Sequence, residues 1–516
     1  MVVKYDIRKN AYYDSVTLML ISKEIKKMDG VDEVLVGMGT ELNKELAANL
    51  DLAGDDIITL SANDFFIAAR LSEEKVMESV IDMVEELLTK KKTDAGSDYQ
   101  PVSLETAISY QPDSNMAVIS VAGNYAFREV KKCLDKGLHV MLFSDNVSIE
   151  DEKMLKELAV EKGLLMMGPD CGTAIINNIP LAFANVVSKG NIGVVGASGT
   201  GTQEVTVIID KLGGGVSQVI GTGGRDLKSE IGGLMMIQGI EALIEDDNTD
   251  VIVLISKPPA KEVAIKVLEI AKKTKKPFVV DFIGGDSSDI INVGAYACTT
   301  LEDTAYKAVA LSKGEEVITF DTFNLAKDEI DKIIETEIST KDKSQKYFRG
   351  LFTGGTLADE AMKMIGAEIG SIYSNIPLEE EYKLVDIDKL SGNACIDLGD
   401  DMFTVGRPHP MIEPSTRTER LVDWVDEDVA LLLFDVVLGY GSHQDPAGEM
   451  VEPVKEAMKK LEDAGKKLTV ICSICGTEND PQSLEASKAV LEDIGVIVMP
   501  SNAQACRLSL EILKRL

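Results

Sequence analysis

From Gly190 to Val205 the chain reads GNIGVVGASGTGTQEV. The β-branched run Ile192, Val194 and Val195 meets a string of small residues, Gly196, Ala197, Ser198, Gly199, Thr200 and Gly201. Helix-compatible sequence follows, with Glu204 in its first turn. The pattern is strand, tight turn, helix. At such a turn the unpaired N–H groups of the first helical turn point outward, the helix dipole adds positive charge, and glycines let an anion approach the backbone. The expected guest is a phosphate or a carboxylate; the competing reading is an ordinary glycine-rich βα loop.

The pattern occurs twice. Tyr347 to Met362 reads YFRGLFTGGTLADEAM, again an apolar strand, then Thr353, Gly354, Gly355 and Thr356, then a helix carrying Glu360. Aligned on the threonines, Gly199-Thr200 with Glu204 matches Gly355-Thr356 with Glu360, a shift of 156 positions from 200 to 356. Gly223-Gly224-Arg225-Asp226 follows the first copy, and Gly399-Asp400 with Gly406-Arg407 follows the second. Apolar strands then begin at Asp250 (DVIVLIS) and Asp428 (DVALLLFD), so two half-molecules of similar plan are present.

The chain has 516 residues, room for three or four domains of ordinary size. No stretch approaches the roughly 20 uninterrupted apolar residues of a membrane helix, and Met1-Val2-Val3-Lys4 does not open a signal peptide, so a cytoplasmic protein is expected. A net charge of −33 repels nucleic acid and anionic membranes, and neither is expected as a partner. An anionic substrate must then be held by local donors. Seven scattered cysteines suit reduced thiols; Cys472 and Cys475 form a CxxC at a strand end with no second pair and no neighbouring histidine, and read as structural. No metal site is expected.

Residues 1–92 form a small α/β module. Asn10, Tyr12, Tyr13, Asp14 and Ser15 precede an amphipathic helix (Val16, Leu18, Met19, Ile21, Ile25), a strand covers Glu33 to Gly37, and a helix runs from Ser72 to about Leu88. Thr89 to Ser97 reads as a linker. From Ser114 to Phe183 strands alternate with helices: Met116–Val121, His139–Ser144 and Leu164–Gly168 as strands, Tyr125–Gly137 and Ile149–Gly163 as helices. Parallel βαβ architecture follows, with His139 a core histidine.

Here a resemblance becomes specific. GPDCGT at Gly168–Thr173, GASGTGTQE at Gly196–Glu204, GTGGRD at Gly221–Asp226 and KPP at Lys257–Pro259 resemble the α-subunit of succinyl-CoA synthetases. The half from about Tyr347 resembles the flavodoxin-like CoA-ligase domain of their β-subunit. From end to end the chain is similar to the FdrA family, through FSDNVS at Phe143–Ser148, LLMMGPDCGT at Leu164–Thr173, ASGTGTQE at Ala197–Glu204, GRPHPMI at Gly406–Ile412 and DVVLGYGSH at Asp435–His443. The fold this implies is α/β: a small N-terminal α/β module (1–92), a Rossmann-like CoA-binding-type domain (98–188) and two flavodoxin-like succinyl-CoA-synthetase-type domains (189–313 and 345–516). The acidic helical stretch Gly314–Lys346 connects the last two.

The chain departs from the synthetases at three points. Their phosphorylated histidine lies in a Gly-His-Ala phrase, and the matching stretch here, Val293-Gly294-Ala295-Tyr296-Ala297-Cys298, has none. The region before Ser103-Leu104-Glu105-Thr106-Ala107 lacks their glycine-rich nucleotide turn, and no ATP-grasp-like segment is present. CoA and ATP are therefore not expected as cofactors, and no other cofactor is called for.

The FdrA resemblance implies a subunit of oxamate carbamoyltransferase, which phosphorolyses oxalurate (N-carbamoyl-2-oxoglycine) to oxamate and carbamoyl phosphate in purine and allantoin nitrogen catabolism, working with two partner subunits. The ligand is then a small anionic substrate with phosphate or carbamoyl phosphate. In that reading Ser198, Gly199, Thr200 and Gly201, with Gly223 and Gly224, hold one anionic group, and Gly354, Gly355 and Thr356 a second. Arg225 and Arg407 clamp carboxylate or phosphate in bidentate fashion, or else serve as surface ion pairs. His443, in Gly439-Tyr440-Gly441-Ser442-His443 just past a strand, donates a proton or is a bare loop histidine. His409, between Pro408 and Pro410, shapes its loop. Two other readings stay open: an NDP-forming acyl-CoA synthetase with its ATP-grasp half on another chain, and a non-catalytic scaffold.

Overall fold

The computed structural model describes residues 1–9, 11, 13, 15–93, 101, 103–404 and 407–516. Asn10, Tyr12, Asp14, Gly406 and positions 94–97 of the expected linker lie outside the described residues. The protein is α/β and divides into two units, Met1–Asp113 with Thr404–Pro408, and Ser114–Phe403 with His409–Leu516.

In the first unit Phe65–Leu71 runs antiparallel between Val2–Arg8 and Val31–Met38. Its period-two alternation splits the core. Phe65, Ile67, Ala69 and Leu71 pack with Leu18, Ile21 and Ile25 of helix Ser15–Lys26 and with Val80 and Val84 of helix Val76–Thr93. Phe66 and Ala68 face the other way, onto Ala47, Leu52 and Ile57. The closing helix reaches Thr93, so Lys90–Lys92 is helical where a linker was expected. No glycine or proline occurs between Val76 and Thr93, and lysine is a good helix former.

The second unit carries three sheets. Met116–Ile119, His139–Leu142 and Met166–Met167 are parallel and form the smallest. The hairpin Thr173–Ile176 and Ile179–Ala182, whose residues fall within the 98–188 domain expected from sequence, joins the next sheet, where Ile175 pairs antiparallel with Val219. Past that hairpin this sheet orders Val216–Gly221, Lys189–Gly196, Val251–Ser256, Phe278–Phe282 and Tyr296–Ala297. The third sheet orders Ala394–Asp397, Tyr347–Phe352, Val429–Val437, Thr469–Cys475 and Ile497–Met499. In chain order both read 2-1-3-4-5, the flavodoxin-like winding, so the sequence repeat is a repeat of topology. Val251–Ser256 and Val429–Val437 are buried along their whole length, as central parallel strands covered on both faces must be.

One core joins the two halves. Ile208 of helix Gly199–Lys211, Val309 of Leu301–Lys313, Ala358 and Ile365 of Gly355–Ile369, and Leu508 and Ile512 of Asn502–Leu513 belong to it. Helix Lys327–Ser339 of the connecting stretch seats Ile330 and Ile334 in the same core. No helix among the described residues is long and apolar enough to cross a membrane.

Candidate functional site

Each anion-seeking turn follows the first strand of its half, and the shared core brings the two helix starts into contact. Ser198 caps helix Gly199–Lys211: its Oγ accepts the Gly201 N–H at 3.0 Å, and its carbonyl accepts that of Thr202 at 3.2 Å. Gly199 is exposed, and a Cβ there would meet only Thr173 Oγ1, at 3.8 Å. The N–H groups of Gly199 and Thr200 have no acceptor among the described residues, as expected for a first helical turn. Helix Gly355–Ile369 starts at Gly354 with no side-chain cap, and its first acceptor bond is Ala358 N–H to the Gly354 carbonyl. Ser198 Oγ and Thr356 Oγ1 are 2.5 Å apart. A Cβ on Gly201 would stand 2.8 Å from Thr356 Cγ2, and one on Gly354 would strike Thr200. Two helix N-termini, the first capped by Ser198 and the second without a side-chain cap, are thus held in contact.

The glutamates one turn further in lock this arrangement. Glu204 Oε1 accepts the Asn502 N–H at 2.9 Å, and Glu360 Oε1 accepts the Leu301 N–H at 2.8 Å. Each half's carboxyl thereby caps the last helix of the other half. Asn502 Nδ2 also donates to Glu360 Oε2 at 2.8 Å, so one asparagine touches both carboxyls. Both are buried, and burial pushes both up, Glu360 to about 8.

Charged groups gather at the second start. Lys257 Nζ, from the turn after Val251–Ser256, pairs with Asp359 Oδ2 at 3.1 Å. Burial works against its charge, but Asp359 and Asp397 outweigh burial and hold Lys257 above the ordinary lysine value. Asp397 accepts the Gly399 N–H at 2.9 Å, and burial drives it up to about 7. His409 is brought here too: its Nε2 lies 2.8 Å from where a Gly399 Cβ would stand. Its Nδ1 accepts the Met411 N–H at 3.2 Å, a bond within its own loop, and burial lowers it to about 4, so it is a neutral imidazole. Behind the site, buried Arg417 holds Asp435 at 3.0 Å, and Asp435 takes the N–H and hydroxyl of Thr353 at 2.9 and 2.5 Å.

The other sequence candidates stand elsewhere. Arg225 turns to Glu152 Oε2 at 2.9 Å and the Val147 carbonyl at 2.8 Å. Gly223 and Gly224 pack the same turn on Gly168–Asp170, and Gly223 needs its φ of 82°. There Asp170, open to solvent but ringed by protein, is pushed up to about 6 by that crowding and by Asp145 and Asp401. Behind Arg225, fully buried Lys156 bridges Glu152 at 2.8 Å and Asp226 at 2.7 Å. Arg407 falls in the N-terminal unit. Gly439 and Gly441, with φ of 110° and 78°, fold their loop onto Ala182–Asn185, and Ser442 Oγ is buried there with no partner among the described residues. His443 N–H donates to the Met411 carbonyl at 2.7 Å, and its Nδ1 accepts the Asp445 N–H at 3.1 Å. His139 Nδ1 accepts the Leu165 N–H at 2.9 Å, as a core histidine does, and Cys472 and Cys475 are buried free thiols. Lys257 and Asp397 carried no sequence signal of a role beyond the KPP phrase.

Three family models match: AllF, heavy metal-associated domain, on residues 1–102; CoA binding domain on 187–284; and CoA-ligase on 351–512. YahF of Escherichia coli (strain K12) is 44% identical over 515 residues, 99% of each chain. The chain belongs to the YahF family. That family is succinyl-CoA synthetase-like in its ligase domains. The α-subunit 2 of the ADP-forming succinate–CoA ligase of Archaeoglobus fulgidus is 26% identical over 34% of this chain and 60% of that protein. The SauD subunit of the ADP-forming sulfoacetate-CoA ligase of Bilophila wadsworthia is 27% identical over 33% and 60%. Among solved structures, the dinucleotide-forming acetyl-coenzyme A synthetase 1 of Ca. Korarchaeum cryptofilum is similar over 79% of this chain and 84% of that one, at 16% identity and a TM-score of 0.33. The CoA-binding match falls on the stretch read from sequence as the first ligase-like domain and includes the Gly196–Gly201 turn. The heavy-metal label does not fit the donor set: residues 1–102 contain no cysteine or histidine, and no group of three metal-ligating side chains occurs among the described residues.

Proposed function

We propose that the chain is a subunit of an oxamate carbamoyltransferase, seating phosphate and the carbamoyl donor oxalurate where the two helix starts meet. The observation that carries this reading is the contact of Ser198 with Thr356, which puts two sets of unpaired N–H groups at one place. Transfer of a carbamoyl group to phosphate needs positioning and charge neutralisation and no phosphorylated residue. The whole chain contains only His139, His409 and His443, and the synthetase phosphohistidine phrase is replaced by Gly294-Ala295-Tyr296. The AllF-type N-terminal module supports a place in allantoin-derived nitrogen catabolism. The test is phosphate- or arsenate-dependent cleavage of oxalurate by the purified chain, alone and with its two partner subunits, with carbamoyl phosphate as product.

A second reading, an acyl-CoA ligase whose ATP-grasp half is on another chain, is favoured by the CoA-binding match on the Gly196–Gly201 turn. The exposed Gly199 and the uncommitted N–H groups of Gly199 and Thr200 fit a CoA pyrophosphate. CoA-dependent ATP hydrolysis with no cleavage of oxalurate puts this reading first.

A further inference from the structure

Asp397 ends the second strand of the later half and Lys257 follows the third strand of the earlier half, so both stand at carboxyl ends of the two sheets. They approach one point from different halves. A Cβ built on Gly355, first residue of its helix, would stand 2.5 Å from Lys257 Nζ and 2.6 Å from Asp397 Oδ2. The bare Cα is what leaves these groups their room. Asp397 is 6% exposed, and with Oδ1 held by the Gly399 N–H its Oδ2 faces the Gly355 side. Lys257 is anchored by Asp359 yet keeps 42% of its side chain exposed, so the ammonium remains reachable from solvent.

We infer that Lys257 and Asp397 are the charge-neutralising and proton-transferring pair of the carbamoyl transfer, an inference that rests on the reading above. An oxygen of hydrogen phosphate forms a bond to the carbamoyl carbon of oxalurate. The bond from that carbon to the oxamate nitrogen breaks, its electron pair going to nitrogen, and Asp397 Oδ2 gives the nitrogen a proton. The proton lost by hydrogen phosphate restores the Asp397 carboxyl, while Lys257 faces the phosphate charge. Burial, aided by Asp400 and Asp359 and opposed by Lys257, brings Asp397 to about 7, where a carboxyl exchanges protons near neutral pH. The two groups come from different halves, so the site exists only in the assembled pair.

The test titrates the full chain with inorganic phosphate by calorimetry, in buffers of different ionisation enthalpy, and follows oxalurate turnover by the reconstituted complex against pH. Lys257→Met should weaken phosphate binding by about tenfold or more, and Lys257→Arg should restore part of it. Asp397→Asn should keep the affinity, lose the proton uptake that accompanies binding, lower turnover about a hundredfold and erase the fall in rate as pH rises through about 7. Unchanged affinity in Lys257→Met, or wild-type proton uptake in Asp397→Asn, overturns the inference. If the wild-type complex leaves oxalurate intact while binding and proton uptake respond as expected, the pair stands as a phosphate site and the carbamoyl reading falls.

Discussion

Ser198 Oγ lies 2.5 Å from Thr356 Oγ1, although 158 positions separate them in the chain. Ser198→Ala removes this bond and the cap on Gly201, and should cost about 1–2 kcal/mol. Thr356→Val removes only the hydroxyl pair and should cost about 1 kcal/mol. The double variant should fall short of additivity, because both substitutions delete the same bond. Urea unfolding followed by the fluorescence of Trp424, the chain's one tryptophan and 2% exposed, measures all three. Full additivity would mean that the hydroxyls do not couple.

Gly199→Val should leave stability nearly unchanged, since a Cβ there has only a distant neighbour at 3.8 Å. It should nevertheless weaken binding of inorganic phosphate by about tenfold, as the branched side chain stands over the open N–H groups. Equal affinity in the variant and the wild type would show that the anion does not use the first turn.

Glu360 makes stability fall as pH rises. Its folded value of about 8 lies above the ordinary carboxyl value of 4.5, so the folded state binds the extra proton between these limits. Stability present below about 4.5 is lost progressively up to about 8, by at most about tenfold in the unfolding constant per pH unit for one proton. Glu360→Gln should flatten this slope and unfold later than wild type at pH 8. The new amide can be accommodated because Asn502 Oδ1 is buried with no partner among the described residues and can turn to accept it. A slope unchanged in the variant places the titration elsewhere.

Lys156→Met should cost about 3–5 kcal/mol, because Asp226 would be left buried without its cation and Glu152 with Arg225 alone. The loss should spread to Arg225, whose partner Glu152 is one of these two acids. Thermal unfolding checks the first effect. For the second, Arg225→Lys alone should leave both oxalurate turnover and the melting temperature near wild type, since Arg225 is drawn to Glu152 and away from the helix starts. A turnover below wild type would show that Arg225 does more than pair with Glu152.

The two halves and their glycine turns were legible in the sequence, because a β-branched run meeting small residues and then a helix is a local pattern that survives without tertiary context, whereas the flavodoxin-like winding was expected only from the family resemblance. The shift that aligned Glu204 with Glu360 also identified the two carboxyls that cap each other's half. What the sequence did not determine is which charges stand at the helix starts. Arg225 has the chemistry of an anion clamp, but buried Glu152 draws it aside, while Lys257 and Asp397 meet over Gly355 from different halves. Periodicity reports which faces are buried, whereas the partner a charge selects depends on what burial brings near it and on the cost of leaving it unpaired, and both are set only when the two sheets and their helices pack.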